Sequence, residues 1–185
     1  PGRGRLLLSY FLYGVSFVLY TNYLIVALRQ DLDFTPTGAA QVFSLLGVAS
    51  IVGGAVGGRV SDWFGRRSVM AISMVSVGLL ALVVPLGWSG AAAVSAFCYG
   101  LLMTAVGTVL VAYLSDVLDP RWMGTAFGSA TVSLGLAQLL APPVGGWLAD
   151  VTGSFAVVFH LACGAGVLAG LVAAFLPGTS AGRRG

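Results

Sequence analysis

The sequence predicts an all-α integral membrane protein of six transmembrane helices, arranged as two inverted three-helix repeats. Three observations carry that reading. Hydrophobic residues make up 58% of the chain and charged ones only 8%, against roughly 45–50% and about 25% in soluble domains. The apolar residues gather into six runs, about residues 6–28, 38–57, 69–87, 91–113, 125–148 and 155–176. The pattern GxxxDxxG then occurs twice, 88 residues apart, as Gly58, Asp62 and Gly65 and again as Gly146, Asp150 and Gly153.

Each run approaches or exceeds the ~20 residues that a helix rising 1.5 Å per residue needs to cross ~30 Å of hydrocarbon. Period-2 alternation, the mark of a membrane β-barrel, is missing. The first run follows Pro1 to Arg5 and is too long, and lacks the small-residue cleavage site, for a signal peptide. A start without Met leaves room for an upstream segment. The breaks carry turn and charge chemistry. They are Arg29 to Thr37 with Pro36, Gly57 to Arg67, Gly87 to Gly90, Ser115 to Met123 with Pro120, and Asp150 to Ser154. The second is a knot of charge, Arg59, Asp62, Arg66 and Arg67, and reads as a short hairpin between two membrane helices. Pro142 and Pro143 are expected to bend the fifth helix, because proline removes an amide donor and crowds the preceding turn. Small residues set for close helix contact are Gly47, Gly54 and Gly58 in the second helix, Gly124 and Gly128 in the fifth, and Gly166 and Gly170 in the sixth.

Orientation follows from arginine. If the Asp62 loop is cytoplasmic, that side also holds Arg3, Arg5, Arg59, Arg66, Arg67, Arg121, Arg183 and Arg184, leaving Arg29 alone outside. The bias places both termini in the cytoplasm. Three crossings later the second GxxxDxxG emerges on the opposite face, where it carries no arginine, as an inverted repeat under that bias requires. The lack of Lys beside abundant Arg, Ala, Gly, Val and Leu points to a GC-rich coding sequence and a bacterial inner or plasma membrane. Arginines at the ends of apolar runs make no shared basic face, which argues against nucleic acid. Cys98 and Cys163 read as small hydrophobes without metal or disulfide spacing. No catalytic cluster or phosphate loop appears, so neither an enzyme nor a cofactor nor a metal is implied.

GRVSDWFGRRSVM resembles the loop 2–3 signature of the major facilitator superfamily: Gly58, Asp62, Gly65, Arg66 and Arg67 match, and Trp63 stands where a basic residue is usual. The resemblance extends over the chain as one six-helix half of the usual twelve. GTAFGSATVSLGLAQLLAPPVGGWLADVTGSF is similar to helix 11 and its following loop, and LDPRWMGTAFG to the junction before it, which implies the C-terminal half. What the resemblance implies is secondary active transport of a small solute by alternating access, with the substrate at midplane between halves. The opposing wall would come from a missing N-terminal half or from a second copy of the chain. A non-transporting scaffold or relic is the other reading.

Within the motif, Gly58 would let the second helix approach a neighbour, Asp62 would face the positive N-terminus of a helix such as the fifth, and Gly65 would allow the turn. Arg66 and Arg67 would reach headgroups or Asp116, forming a conformational latch. In this family the first and fourth helices line the path, which singles out Tyr13, Tyr20, Asn22, Tyr99 and Thr104; Tyr10 and Tyr113, near helix ends, read as interfacial anchors. Gln41 and Gln138 are added because an amide facing lipid is costly. No Asp or Arg lies mid-helix, so a coupling group is expected in the other half. His160 reads as a hydrogen-bonded structural residue.

Overall fold

Short connections dominate the architecture, and glycine ends two of the six helices, at Gly65 and Gly153. The computed structural model describes residues 2–178, so Arg183 and Arg184 lie outside the described residues. The helices are α1 (Arg3–Gln30), α2 (Pro36–Phe64), α3 (Arg66–Ala81), α4 (Ser89–Val117), α5 (Pro120–Thr152) and α6 (Ala156–Ala174). All six are long and apolar enough to cross a membrane, α3 together with the turn that follows it.

Thr35 caps α2, its hydroxyl accepting from the Gly38 amide at 3.1 Å, and Asp119 caps α5, accepting from the Arg121 amide at 3.1 Å. Each cap is followed by proline at the first helical position, where the missing N–H costs nothing. The Gly57–Arg67 stretch is not an open hairpin. Helix continues to Phe64 and resumes at Arg66, so Gly65 alone, at φ +87°, makes the break. A Cβ disfavours that backbone region, and glycine has none. α3 stops at Ala81, earlier than its apolar run, where Pro85 has no amide to give the Ala81 carbonyl; a 3₁₀ turn, Val84–Leu86, completes the crossing. α5 remains one helix through Pro142 and Pro143.

Three face-to-face pairs build the bundle: α2 on α4, α1 on α5 and α3 on α6, with α1 crossing α6 and α3 crossing α4. Exchanging the first three helices for the last three leaves this set unchanged. The exchange holds at single residues too. Gly78 and Gly166, 88 apart, meet each other: a Cβ on Gly166 would stand 2.6 Å from the Gly78 Cα. Gly57 and Gly145, also 88 apart, press respectively on Ala105 of α4 and on Leu19 and Tyr23 of α1. The two inverted three-helix repeats are thus related by a pseudo-twofold axis through the α3–α6 contact.

Two glycine stripes fall elsewhere than the sequence suggested. In α2 the closest approach belongs to Gly53 and Gly57, which have no room for a Cβ against Leu101 and Ala105, and of the expected stripe Gly54 alone comes close, its Cβ 2.8 Å from Thr108 Oγ1. Gly47 has nothing within 4 Å of a built Cβ, and Gly58 only ordinary contact with Thr108. Gly124 and Gly128 meet nothing. Gly166 and Gly170 do mediate a tight crossing, against Gly78, Ala71 and Val75.

Burial is uneven. The spans of α2 and α5 are 28% and 22% buried, whereas the other four lie between 44% and 50%. α2 and α5 therefore carry most of the apolar surface that this bundle leaves uncovered, including Val48, Ile51, Val52, Leu139 and Leu140. Four exposed tryptophans mark the two ends, Trp63 and Trp122 at the arginine-rich end and Trp88 and Trp147 at the other, as the amphipathic indole favours at a lipid–water boundary.

Candidate functional site

The arginine-rich end is organised by one guanidinium. Arg66, in the first turn of α3, reaches Asp62 Oδ1 at 2.6 Å, Asp116 Oδ2 at 3.3 Å, Ser61 Oγ at 2.6 Å and the Gly58 carbonyl at 3.2 Å. It joins the end of α2 to the end of α4. The planar fork supplies several donors from one side chain, and this is what lets it satisfy acceptors on two helices at once.

The neighbouring residues take other roles than expected. Asp62 pairs with Arg66 and is half-exposed, while the N-terminus of α5 is capped by Asp119. Arg67 donates to the Leu176 carbonyl at 3.0 Å rather than to Asp116. Arg5 donates to the Phe175 carbonyl and Tyr113 to the Pro177 carbonyl, each at 3.0 Å. These three carbonyls belong to the segment just after α6, and α1, α3 and α4 each send one donor to it. Leu6, Tyr113, Val117, Trp122 and Pro177 border an apolar cavity of about 390 Å³ beside this junction.

The path residues separate into two groups. Tyr13, Tyr20 and Tyr99 are buried inside the bundle. Tyr13 donates to the Met103 carbonyl at 2.8 Å and Tyr99 to the Ser16 carbonyl at 3.3 Å. The Tyr20 and Tyr99 rings stack at 3.7 Å, and the Tyr20 hydroxyl lies 3.5 Å from Ser95 Oγ. Thr104 is half-buried and donates to the Ser50 carbonyl of α2 at 3.0 Å. Asn22, Gln41 and Gln138 are exposed on α1, α2 and α5. Tyr10 and Tyr113 are buried as well, so neither presents its ring to lipid as an anchor would. His160 sits on the exposed side of α6 with Nδ1 2.7 Å from the Ala156 carbonyl.

Tyr23, which the first helix also carries, donates its hydroxyl to the Pro142 carbonyl at 2.6 Å.

Residues 6–185 match the family model of the Major Facilitator Superfamily. Mouse monocarboxylate transporter 6 is 28% identical over 68% of this chain, which covers 28% of that protein. The 3-(3-hydroxy-phenyl)propionate transporter of Escherichia coli K12 is 29% identical over 65% of this chain and 34% of its own length. The inward-open xylose transporter of E. coli shares the fold with a TM-score of 0.76 at 17% identity, over 96% of this chain and 47% of that one. The chain thus spans about a third or less of these sequence relatives and about half of the structural one. The relatives are transporters and not enzymes. This six-helix, multi-pass membrane chain belongs to the major facilitator superfamily.

Proposed function

We propose that the chain is one half, the C-terminal one, of a twelve-helix secondary transporter that moves a small organic solute by alternating access. The uncovered apolar faces of α2 and α5 carry this reading: they are the least buried spans, and a second six-helix body laid against them would enclose a midplane cavity. Asn22, Gln41 and Gln138 would face that cavity, while Tyr13, Tyr20, Tyr99 and Thr104 form the packed wall behind it. Gly58, Asp62, Gly65, Arg66, Arg67 and Asp116 act as the conformational latch.

A carboxylate-bearing solute is supported by the names of the two sequence relatives, a monocarboxylate and a propionate transporter. Every arginine of the described residues lies near a helix end, so the counter-ion for such a solute belongs to the opposing half. In reconstituted vesicles, the full protein is expected to show saturable uptake of propionate or 3-hydroxyphenylpropionate in preference to xylose, and the 185-residue chain alone to show none. Saturable uptake by a demonstrated monomer of the chain would overturn the half-transporter reading. A chain active only as a cross-linkable homodimer would put a second copy in place of the missing half, and silence of every form would leave a scaffold.

The arginine-rich end is assigned to the cytoplasm on the positive-inside bias, in a bacterial inner membrane. Cysteines introduced at Ser68 and Val151, both exposed, test this in intact cells. An impermeant maleimide is expected to label Val151→Cys and to spare Ser68→Cys; the opposite pattern inverts the topology.

A further inference from the structure

At the end opposite the arginines, Asp31 closes α1, and its carboxylate reaches across to the start of α6. Oδ2 accepts from Ser154 Oγ at 2.8 Å and from the Phe155 amide at 2.8 Å. Phe155 stands at the N-cap position of α6 and offers no capping side chain of its own, so the orphan amide there is satisfied by a carboxylate from another helix. That end of a helix also carries partial positive charge, which favours an anion. Beneath the contact lies a cavity of about 170 Å³ bordered by Ala27, Leu32, Val84, Pro85 and Phe159.

The position of this contact in the repeat gives it meaning. Ser154 and Phe155 lie 88 residues after Arg66 and Arg67. Under the exchange of repeats, the end of α1 meeting the start of α6 corresponds to the end of α4 meeting the start of α3, which is where Arg66 joins Asp116. We propose that Asp31 with Ser154 and Phe155 is the second latch of this half, holding α1 to α6 as Asp116 and Arg66 hold α4 to α3. Both latches place a carboxylate on the long helix that packs against α5 or α2. They differ in the donor. A guanidinium serves at the arginine-rich end, and a hydroxyl and a backbone amide serve at the other, where the charge bias of membrane insertion disfavours arginine. The second GxxxDxxG therefore keeps its turn, with Gly153 at φ +70°, and replaces the cationic donors with neutral ones. Asp31 acts as a positioning residue: it keeps the outer part of α1, with Asn22 and Tyr23, registered on α6.

The test reads thiol accessibility, so it stands apart from whether the protein transports. In the full chain with its other cysteines replaced by Ala, Leu32→Cys is followed with a membrane-permeant maleimide. Leu32 is partly buried against this cavity. Asp31→Ala is expected to raise the labelling rate several-fold, and Asp31→Asn, which keeps a weaker acceptor, by an intermediate factor. Asp33→Asn removes the same charge two residues away and is expected to match wild type. A second reporter, Leu118→Cys at the arginine-rich end, is expected to respond to Asp116→Ala and not to Asp31→Ala. Unchanged Leu32→Cys labelling in Asp31→Ala overturns the latch. So does a rise at Leu118→Cys of equal size, which would mean general loosening. If Asp31→Ala does not accumulate, the Asp31→Asn rate decides in the same way.

Discussion

Arg66→Ala in the full protein is expected to lower saturable uptake by about tenfold or more while leaving membrane insertion near wild type. The substitution empties four contacts at once, with Asp62, Asp116, Ser61 and the Gly58 carbonyl. Hydrogen bonds to charged groups are worth about 1.5–3 kcal/mol, and about 1.4 kcal/mol corresponds to a factor of ten. Asp62→Asn is expected to be milder, because Asp62 is 53% exposed and contacts only Arg66 among the described residues; exposed pairs contribute about 0–1 kcal/mol. Arg66→Lys keeps the charge and loses the fork, so uptake between the two is expected. Initial rates normalised to protein in the membrane check the order. Wild-type uptake by Arg66→Ala would leave the motif only its part in setting orientation.

The largest effect on stability is expected at the pseudo-twofold axis. Gly166→Val places a side chain where a Cβ alone already stands 2.6 Å from the Gly78 Cα and 2.9 Å from Ser16 Oγ. Backbone atoms cannot rotate aside, so α3 and α6 must separate. Overpacking of this kind costs about 1–3 kcal/mol and sometimes more, a large fraction of a stability of about 5–15 kcal/mol. Gly124→Val and Gly128→Val, with nothing within 4 Å of either Cβ, are expected to be near neutral. The measurement is the fraction of detergent-extracted protein that elutes as one symmetric species, with its thermal midpoint. Equal losses at Gly166 and Gly124 would show that glycine serves backbone freedom at these positions and not packing.

Both results bear on how far a sequence of this composition can be read. The six crossings and the 88-residue repeat were legible because water-to-lipid transfer acts on whole runs of about twenty residues, and no neighbour is needed to see it. Which face each helix turns inward was not legible. Gly53–Gly54 and Gly57–Gly58 are doublets, so two GxxxG stripes run side by side in α2. One residue is about 100° of rotation, and only the position of α4 shows that Gly53 and Gly57 press hardest, on Leu101 and Ala105, with Gly54 against Thr108 and Gly58 in ordinary contact. The tyrosines failed for the same reason. Tyr10 and Tyr113 sit at depths typical of membrane anchors, yet rotation turns them inward, and the Tyr113 hydroxyl ends on a carbonyl of the segment after α6. Arg66 was recognised, but its full set of acceptors depends on α2 continuing as helix to Phe64, which brings Gly58, Ser61 and Asp62 onto the side facing it. Asp31 gave no local signal, because the amide it caps is distant in sequence.

The helices of this bundle are unequal in length. α5 has 33 residues and α6 has 19, about 50 Å and about 28 Å at 1.5 Å per residue, beside a hydrocarbon layer of ~30 Å. Only the short helix matches the layer when upright; the long one must tilt or project, and Trp122 and Trp147 fix where along α5 the boundary falls. Any change of that tilt changes how much of α5 the acyl chains must cover. Mismatch of this kind costs fractions of a kcal/mol per Å, the same scale as the latch contacts. Bilayer thickness is thus a mechanical load on this bundle, set by the surrounding lipids and applied through one long helix.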